Sequence, residues 1–547
     1  MNFSKLPKEK RNHLVLVALA ALIAVLGLYF GLIQAQNESL DRLAQKDRSS
    51  RDFTLNGLRF ALAQVIACFP VYRSYISEEG VHDPDHKYVE AAVRRATARN
   101  PTLSRSLFRF VRDILLLRYP ESTGEQGRAE QCHFAGKFQQ VTAPVMAKGL
   151  EDTSFYVYNR LLALNEVGGD PARFGVAPKA VHHFNQSRQA KWPRALSPLS
   201  THDTKRGEDV RARLNVLSEL PQEWGKCLER WSQFNEPHRS LVDEVSVPEA
   251  NEEYLIYQTL LGAWPLGPCG PEEYAEFVKR IQAYMVKVLH EAKVHTSWIN
   301  PYEAYDEAVR QFVARILNEE FSGPFLQDLR AFQQRVSHFG LLNGLAQTLL
   351  KITLPGVPDT YQGTELWDFS LVDPDNRRPV DYERRQKLLR ALQGRAAEAG
   401  PDRRELAREL THVKQDGRIK LYVTAQALRC RRDHPGLFST GDYLPAETTG
   451  ARGDHVFGFS RRLGDRQAIV AVPRLLTRLV PGPEGLPLGA EVWQNTRLLL
   501  PDVEPKLLWH NLFTGETLTC VDPQGQPALS LAEVFAHFPV ALLLSQG

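Results

Sequence analysis

A short apolar run that ends in a charged loop constrains this chain more than anything else in it. Residues 192–199 carry Trp, Pro and Leu side chains, and directly after them stands Ser200-Thr-His-Asp-Thr-Lys-Arg-Gly-Glu-Asp-Val-Arg-Ala-Arg213. That order reads as a buried strand ending in a polar loop, the place where α/β barrels keep their chemistry. The loop opens with His202 and Asp203 side by side. On residue types alone, such a pair fits a helix cap or a salt bridge as well as a catalytic centre. A second run has the same shape. Leu350-Lys-Ile-Thr-Leu-Pro-Gly-Val-Pro-Asp-Thr-Tyr-Gln-Gly-Thr-Glu-Leu-Trp367 reads as an apolar strand, a Pro/Gly turn and a polar loop, and it continues into Asp373-Pro-Asp-Asn-Arg-Arg-Pro-Val-Asp381.

The rest of the chain alternates in character. From Asn56 to Arg160 apolar residues recur at helical spacing, as in Leu58, Leu62, Val65 and Ile66, and again in Leu107, Phe110, Val111, Ile114 and Leu115. A polar, Gly-containing gap at 121–128 separates two parts of this region. More amphipathic helices are expected over 207–345. From about Asp416 the period changes: Ile419, Leu421 and Val423 alternate, as do Phe457 and Phe459, and Ala468-Ile-Val-Ala-Val472 reads as a buried strand. With many Pro and Gly between them, these runs predict a C-terminal β-domain.

Bulk properties exclude more than they select. A net charge of +3 over 547 residues implies neither nucleic acid nor an acidic partner. The six cysteines (68, 132, 227, 269, 430 and 520) are scattered without a C-x-x-C pair, so no metal site is expected and the thiols read as free. Neither a P-loop nor an H-E-x-x-H motif occurs, and the Gly-rich pieces at 168–169 and 482–489 read as turns, so no cofactor is implied.

The N-terminus differs from everything after it. Residues 14–33, from Leu14 through Ile33, form twenty consecutive apolar positions, long enough to cross a bilayer as a helix. Four positive charges precede them (Lys5, Lys8, Lys10, Arg11), and Gln34-Ala-Gln36 is a poor cleavage site, which predicts a retained anchor rather than a signal peptide. Arg42, Lys46, Arg48 and Arg51 nearly balance the charge on the far side. The short basic tail favours a cytoplasmic N-terminus, with the large domain outside the cytoplasm.

The two charged runs together resemble those of maltooligosyltrehalose synthases, of the α-amylase superfamily (glycoside hydrolase family 13). Further runs match in order: Pro144-Val-Met-Ala-Lys-Gly-Leu-Glu-Asp152, Asn165-Glu-Val-Gly-Gly169, Glu253-Tyr-Leu-Ile-Tyr-Gln-Thr-Leu-Leu-Gly-Ala-Trp-Pro265 and His295-Thr-Ser-Trp-Ile-Asn-Pro301. The resemblance extends from about Leu40 to the C-terminus. The first 38 residues are instead similar to the start of a PilO-type pilus-assembly membrane protein, so the join near 38–43 reads as a fusion. Synthases of this kind are soluble and cytoplasmic, so the two resemblances place the chain in different locations.

The expected fold is therefore α/β: a partial (β/α)8 barrel made of the last strands, with large helical insertions and a C-terminal β-domain, preceded by a transmembrane helix. The expected segments are 1–38 for tail and membrane helix, 39–190 for a helical insertion, 191–400 for the last barrel strands with a further insertion, and 401–547 for the β-domain.

By the same resemblance, the activity is isomerisation of the reducing-end α-1,4 bond of a maltooligosaccharide to an α,α-1,1 linkage. Asp203 would be the third carboxylate that holds the sugar distorted toward its oxocarbenium-like transition state, and His202 would bond the same sugar. Lys148 and Glu151 would hold the released glucose on the leaving-group side; by spacing alone they are equally an i,i+3 surface ion pair. Asp375 and Arg377 fit either an active-site rim or a structural pair. Retaining glycosidases need a nucleophilic carboxylate and an acid/base about 5–5.5 Å apart. The family carries these in an Arg-x-Asp motif and a Glu within a longer N-terminal portion, and the matching runs here begin beyond both. The chain alone is then expected to be inactive, with a separate chain supplying the missing barrel half. Two other readings stand beside this: a membrane-anchored, non-catalytic glucan-binding protein, and a transglycosylase using carboxylates such as Asp359 and Glu365.

Overall fold

The computed structural model describes residues 36–546, except 121–122, 481, 483, 501–502, 505 and 522–525. The apolar run 14–33 lies outside the described residues. Among the described residues no helix is long and apolar enough to cross a membrane. The chain divides into two compact units, Met1–Ser154 and Phe155–Gly547. This division falls inside the stretch 39–190 that the sequence reading grouped together.

The first unit is helical. Helices α1 (Leu55–Ala67), α2 (Asp83–Arg99), α3 (Arg105–Leu115) and α4 (Glu125–Met146) pack around Leu58, Val65, Val89, Phe108, Val111 and Phe138. Thr54 and Ser104 cap α1 and α3 by accepting a hydrogen bond from an otherwise orphaned backbone N–H in the first turn. The apolar spacing read from the sequence falls on the buried faces of these helices.

In the second unit a bundle precedes a sheet. Its helices are α5 (Pro178–Lys191), α6 (Glu208–Val216), α7 (Pro221–Asn235), α8 (Ala250–Ala263), α9 (Pro271–Ala292), α10 (Glu303–Ile316), α11 (Glu319–Thr353), α12 (Tyr382–Glu398), α13 (Arg404–His412) and α14 (Arg418–Asp433). Two short strands, β1 (Leu196–Ser197) and β4 (Val357–Pro358), pair in parallel. The hairpin β2 (Ser240–Val242) and β3 (Val245–Val247) lies between them in sequence. Helix α11 is the post of the bundle: Phe325, Leu329, Val336, Phe339, Leu345 and Ile352 are all buried, on more than one face. A helix apolar all round belongs inside a core. Ser322 breaks its helical backbone two residues before Pro324, where a proline removes a ladder hydrogen bond.

Beyond α14 come β5 (Asp442–Ala446), β6 (Thr448–Thr449), β7 (Val456–Leu463), β8 (Arg466–Pro473), β9 (Arg497–Leu499), β10 (Leu508–Asn511), β11 (Thr517–Thr519), β12 (Ala528–Ser530) and β13 (Ala541–Gln546). Six of them form an antiparallel sheet in the order β11-β10-β13-β8-β7-β5, and β12, β9 and β6 form a smaller one. Phe457, Phe459 and 468–472 lie on its strands.

Three sequence expectations are corrected. The run 192–199 is not a buried strand: only Leu196 and Ser197 are strand, and Trp192 is 70% exposed. Residues 350–353, read as strand, are the last turn of α11, and the strand begins only at Val357. Ile419, Leu421 and Val423 sit in α14. Their apparent alternation fails because the intervening Lys420 and Tyr422 are buried as well, so no face is polar.

The β10–β11 turn holds the tightest backbone approach. Gly515 has φ +79°, and a Cβ there would lie 1.6 Å from the Pro401 carbonyl oxygen. Gly515→Ala is expected to lower the urea midpoint of unfolding by several tenths molar or more. The change adds left-handed strain of about 1–3 kcal/mol to an overlap with backbone that cannot move aside.

Candidate functional site

The His202–Asp203 loop leaves the C-terminal end of β1, where parallel α/β sheets expose their working residues. Asp203 is half exposed, and its Oδ1 accepts a hydrogen bond from Lys205 Nζ at 2.9 Å. The Lys205 side chain is only 1% exposed. A buried ammonium two residues away therefore fixes where that carboxylate points. The loop's backbone is fixed by Glu166, whose carboxylate accepts from Lys205 N–H at 2.8 Å and from Arg206 N–H at 3.2 Å, with Arg211 Nε 3.6 Å away. Arg206 is buried and reaches the Asn165 carbonyl and the Tyr284 hydroxyl. These charge-assisted bonds are the strong kind, and together they leave the loop little freedom.

The loop after β4 runs alongside. Arg206 and Leu371 form an antiparallel bridge, Gly207 N–H donates to Ser370 O at 2.8 Å, and Asn376 Nδ2 donates to His202 O at 3.1 Å. Asp375 lies in this loop but is nearly enclosed. Its carboxylate takes Arg280 Nε at 2.9 Å, Arg378 Nε at 3.2 Å and Leu371 N–H at 2.7 Å. Arg377 points elsewhere, toward Asp373 Oδ2 at 2.8 Å, and both partners are exposed. The structure thus places His202, Asp203, Asp375 and Arg377 on two adjoining loops, with Asp375 committed to internal partners.

Lys148 and Glu151 belong to the first unit. They sit on a π-helical turn, Ala147–Glu151, that continues α4, a form of backbone often found at functional sites. They do not pair with each other. Lys148, 76% exposed, bonds Asp152, while Glu151 is buried and accepts from the Tyr72 hydroxyl. The surface ion pair allowed by spacing is replaced by an i,i+4 pair one residue further on.

Beneath the two loops lies a cluster that sequence reasoning missed. Lys420 of α14 is fully buried, and its Nζ donates to Glu208 Oε1 at 2.8 Å, Asp209 Oδ2 at 2.7 Å and Leu366 O at 3.4 Å. Asp209 Oδ2 also accepts from Asp368 N–H at 2.9 Å. Lys351 of α11 approaches the same cluster and donates to Thr360 Oγ1. Burial, aided by the charge of Glu208, pushes the Asp209 carboxyl up to about 6 against the pull of Lys420. Burial would raise Glu208 too, but Lys420 and Lys351 outweigh it and hold that carboxyl below its ordinary value. Burial lowers Lys351. Glu208 and Asp209 were legible as the acidic first turn of α6; nothing local marks Lys420, which stands between apolar neighbours.

The sign of the pH effect follows. Between its ordinary 3.8 and about 6, Asp209 keeps its proton in the folded chain and loses it in the unfolded one. Its contribution favours folding below that window and is lost as pH rises through it. Glu208 acts oppositely, its contribution fading as pH falls below the ordinary carboxylate range. Asp209→Asn is expected to flatten the decline in stability from pH 4 to 6, read as urea midpoints across that range.

No protein-family model matches the chain. It is 38% identical over 410 residues to a Mycobacterium tuberculosis protein named for maltooligosyl trehalose synthase, covering 75% of this chain and 45% of that protein. Among solved structures, maltooligosyltrehalose synthase from Arthrobacter ramosus superposes with a TM-score of 0.72 at 32% identity, over 93% of this chain and 56% of that one. A Sulfolobus tokodaii structure of the same name gives 0.59 at 25% identity. The fold is thus that of the α/β, amylase-like enzymes. The chain is a homologue, in sequence and structure, of maltooligosyltrehalose synthases, and it spans about half the length of these relatives. The resemblance of the first 38 residues to a pilus-assembly protein finds no support in these matches.

Proposed function

We propose that this chain carries one part of a maltooligosyltrehalose synthase, an intramolecular glucosyl transferase that turns the reducing-end α-1,4 bond of a maltooligosaccharide into an α,α-1,1 bond. The observation that carries this is Asp203, half exposed at the C-terminal end of a parallel strand and aimed by buried Lys205. In this reading Asp203 accepts hydrogen bonds from sugar hydroxyls and steadies the distorted ring, and His202 bonds the same sugar. Asp375 braces the rim from inside and exposed Arg377 lines it. In this reading the nucleophile and acid/base lie in the portion of the relatives that this chain does not span. The apolar run 14–33 supports a further proposal of membrane attachment, tested by whether alkaline carbonate extracts the full chain from membranes.

The test supplies maltopentaose to the full chain mixed with a polypeptide matching the portion of the M. tuberculosis relative that this chain lacks. A non-reducing trehalosyl product, lost on Asp203→Asn, is the expected result. Product formation that survives Asp203→Asn removes the role assigned to that residue.

A further inference from the structure

The Lys420 cluster lies directly below the junction of the two loops, and each of its bonds reaches a different part of that junction. Glu208 and Asp209 open α6, immediately after the segment that carries Asp203. Leu366 and Asp368 begin the segment that pairs with 206–207 and leads to Asp375 and Asn376. Gly417, with φ +83° at the start of α14, lies close against Leu366 and Trp367. Trp367 Nε1 donates to Lys414 O at 2.7 Å, and the Lys420 ammonium sits 5.5 Å from the Trp367 ring centroid. The second oxygens, Glu208 Oε2 and Asp209 Oδ1, are buried and find no hydrogen-bond partner among the described residues.

We propose that Lys420 is a positioning residue: one buried ammonium ties the loop bearing Asp203 to the loop bearing Asp375, so that both present a single sugar-binding surface. This rests on the reading of those loops as saccharide-binding, but the tie itself is tested without saccharide. The physical basis is the cost of burying charge. Two carboxylates and an ammonium withdrawn from water must be paired to be tolerated, and the pairing is most favourable in one geometry of the three segments. A hydrophobic contact would let the loops slide; this arrangement does not.

The charges facing Asp209 come from three elements: Glu208 on its own helix, Lys420 on α14 and Lys351 on α11. Arg211 acts on Glu208, Arg213 is coupled to Asp209, and Asp359 acts on Lys351. Burial and the charge of Glu208 favour the protonated form of Asp209 in the tied loops, so its deprotonation works against them and the tie loosens as pH rises through about 6.

Amide hydrogen exchange on the full chain decides the matter, comparing wild type with Lys420→Met and with Lys420→Met/Glu208→Gln/Asp209→Asn. The triple variant removes the stranded charges that could unfold the single one. In both variants, protection at the Gly207 and Asp368 amides is expected to fall about tenfold or more, while β7 and β8 keep theirs. In wild type, the protection factor at Asp368 should fall as pH rises through about 6, and Asp209→Asn should abolish that fall. Unchanged loop protection in the triple variant, loss spread evenly over the sheet, or a flat pH profile at Asp368 would each overturn the proposal. Failure of the wild-type mixture to form a trehalosyl product under the previous test, with these exchange effects intact, would sink the sugar reading and leave the tie standing.

Discussion

Purified alone, the chain is expected to leave maltopentaose unconverted, with any residual rate about 10⁶-fold below that of the mixture containing the complementary portion, as for loss of a covalent nucleophile. The carboxylates around Asp203 explain why. Retaining chemistry needs a free pair about 5–5.5 Å apart, one to attack and one to protonate. Glu166 is taken up by two backbone amides of the loop. Asp375 is held by Arg280 and Arg378, and Glu365 pairs with Arg385 Nε at 3.0 Å. Asp368 accepts from both the N–H and the hydroxyl of Ser370. Glu208 and Asp209 lie out of reach beneath the loops. Each is a structural carboxylate whose removal should alter stability before chemistry. Product analysis by reducing-end assay and mass spectrometry checks the expectation. Substantial product from the single chain, abolished by Glu365→Gln or Asp359→Asn and not by Asp203→Asn, would instead favour carboxylates recruited within this chain.

Trp231→Ala should cost the second unit about 3–5 kcal/mol, the range for deleting a large aromatic from a packed core. Trp231 is fully buried on α7. It meets Trp224, Tyr257, Phe325 and Phe332, with ring centroids 5.4–6.1 Å apart. Its Nε1 donates to Asp328 Oδ2 at 2.7 Å, and Arg230 binds the same carboxylate. Alanine would therefore open a cavity beside α11 and remove one of the donors that satisfy Asp328. Trp231→Phe should lose less, because much of the volume stays and Arg230 still pairs the acid. Urea titration followed by far-ultraviolet dichroism gives both values. A shift in midpoint at constant slope is expected, and a loss under about 1 kcal/mol for Trp231→Ala would show that the aromatic cluster is not a packed core.

What the residues fixed locally and what the fold decided separate cleanly here. Helical spacing in 55–67 and 105–115 sufficed because one face of each helix is buried and the other wet, so the period survives in the sequence. The same test failed at 350–353 and 419–423, where every side is enclosed and an apolar run carries no period. The charged run drew attention to His202 and Asp203, but residue types alone fitted a cap or a salt bridge equally, and only the family resemblance gave the pair a role. Neither could show that Glu151 faces Tyr72, that Asp375 is spent on Arg280, or that Lys420 joins Glu208 across 212 residues. Those partners are set by which helices stack, and only tertiary burial makes an ammonium between Ile419 and Leu421 worth more than a solvated charge. The sequence by itself determined the two-faced helices at 55–67 and 105–115, the strand residues 468–472 and the polar loop that carries Asp203. The tertiary structure decided which charges are buried, because burial is what forces each to find its partner.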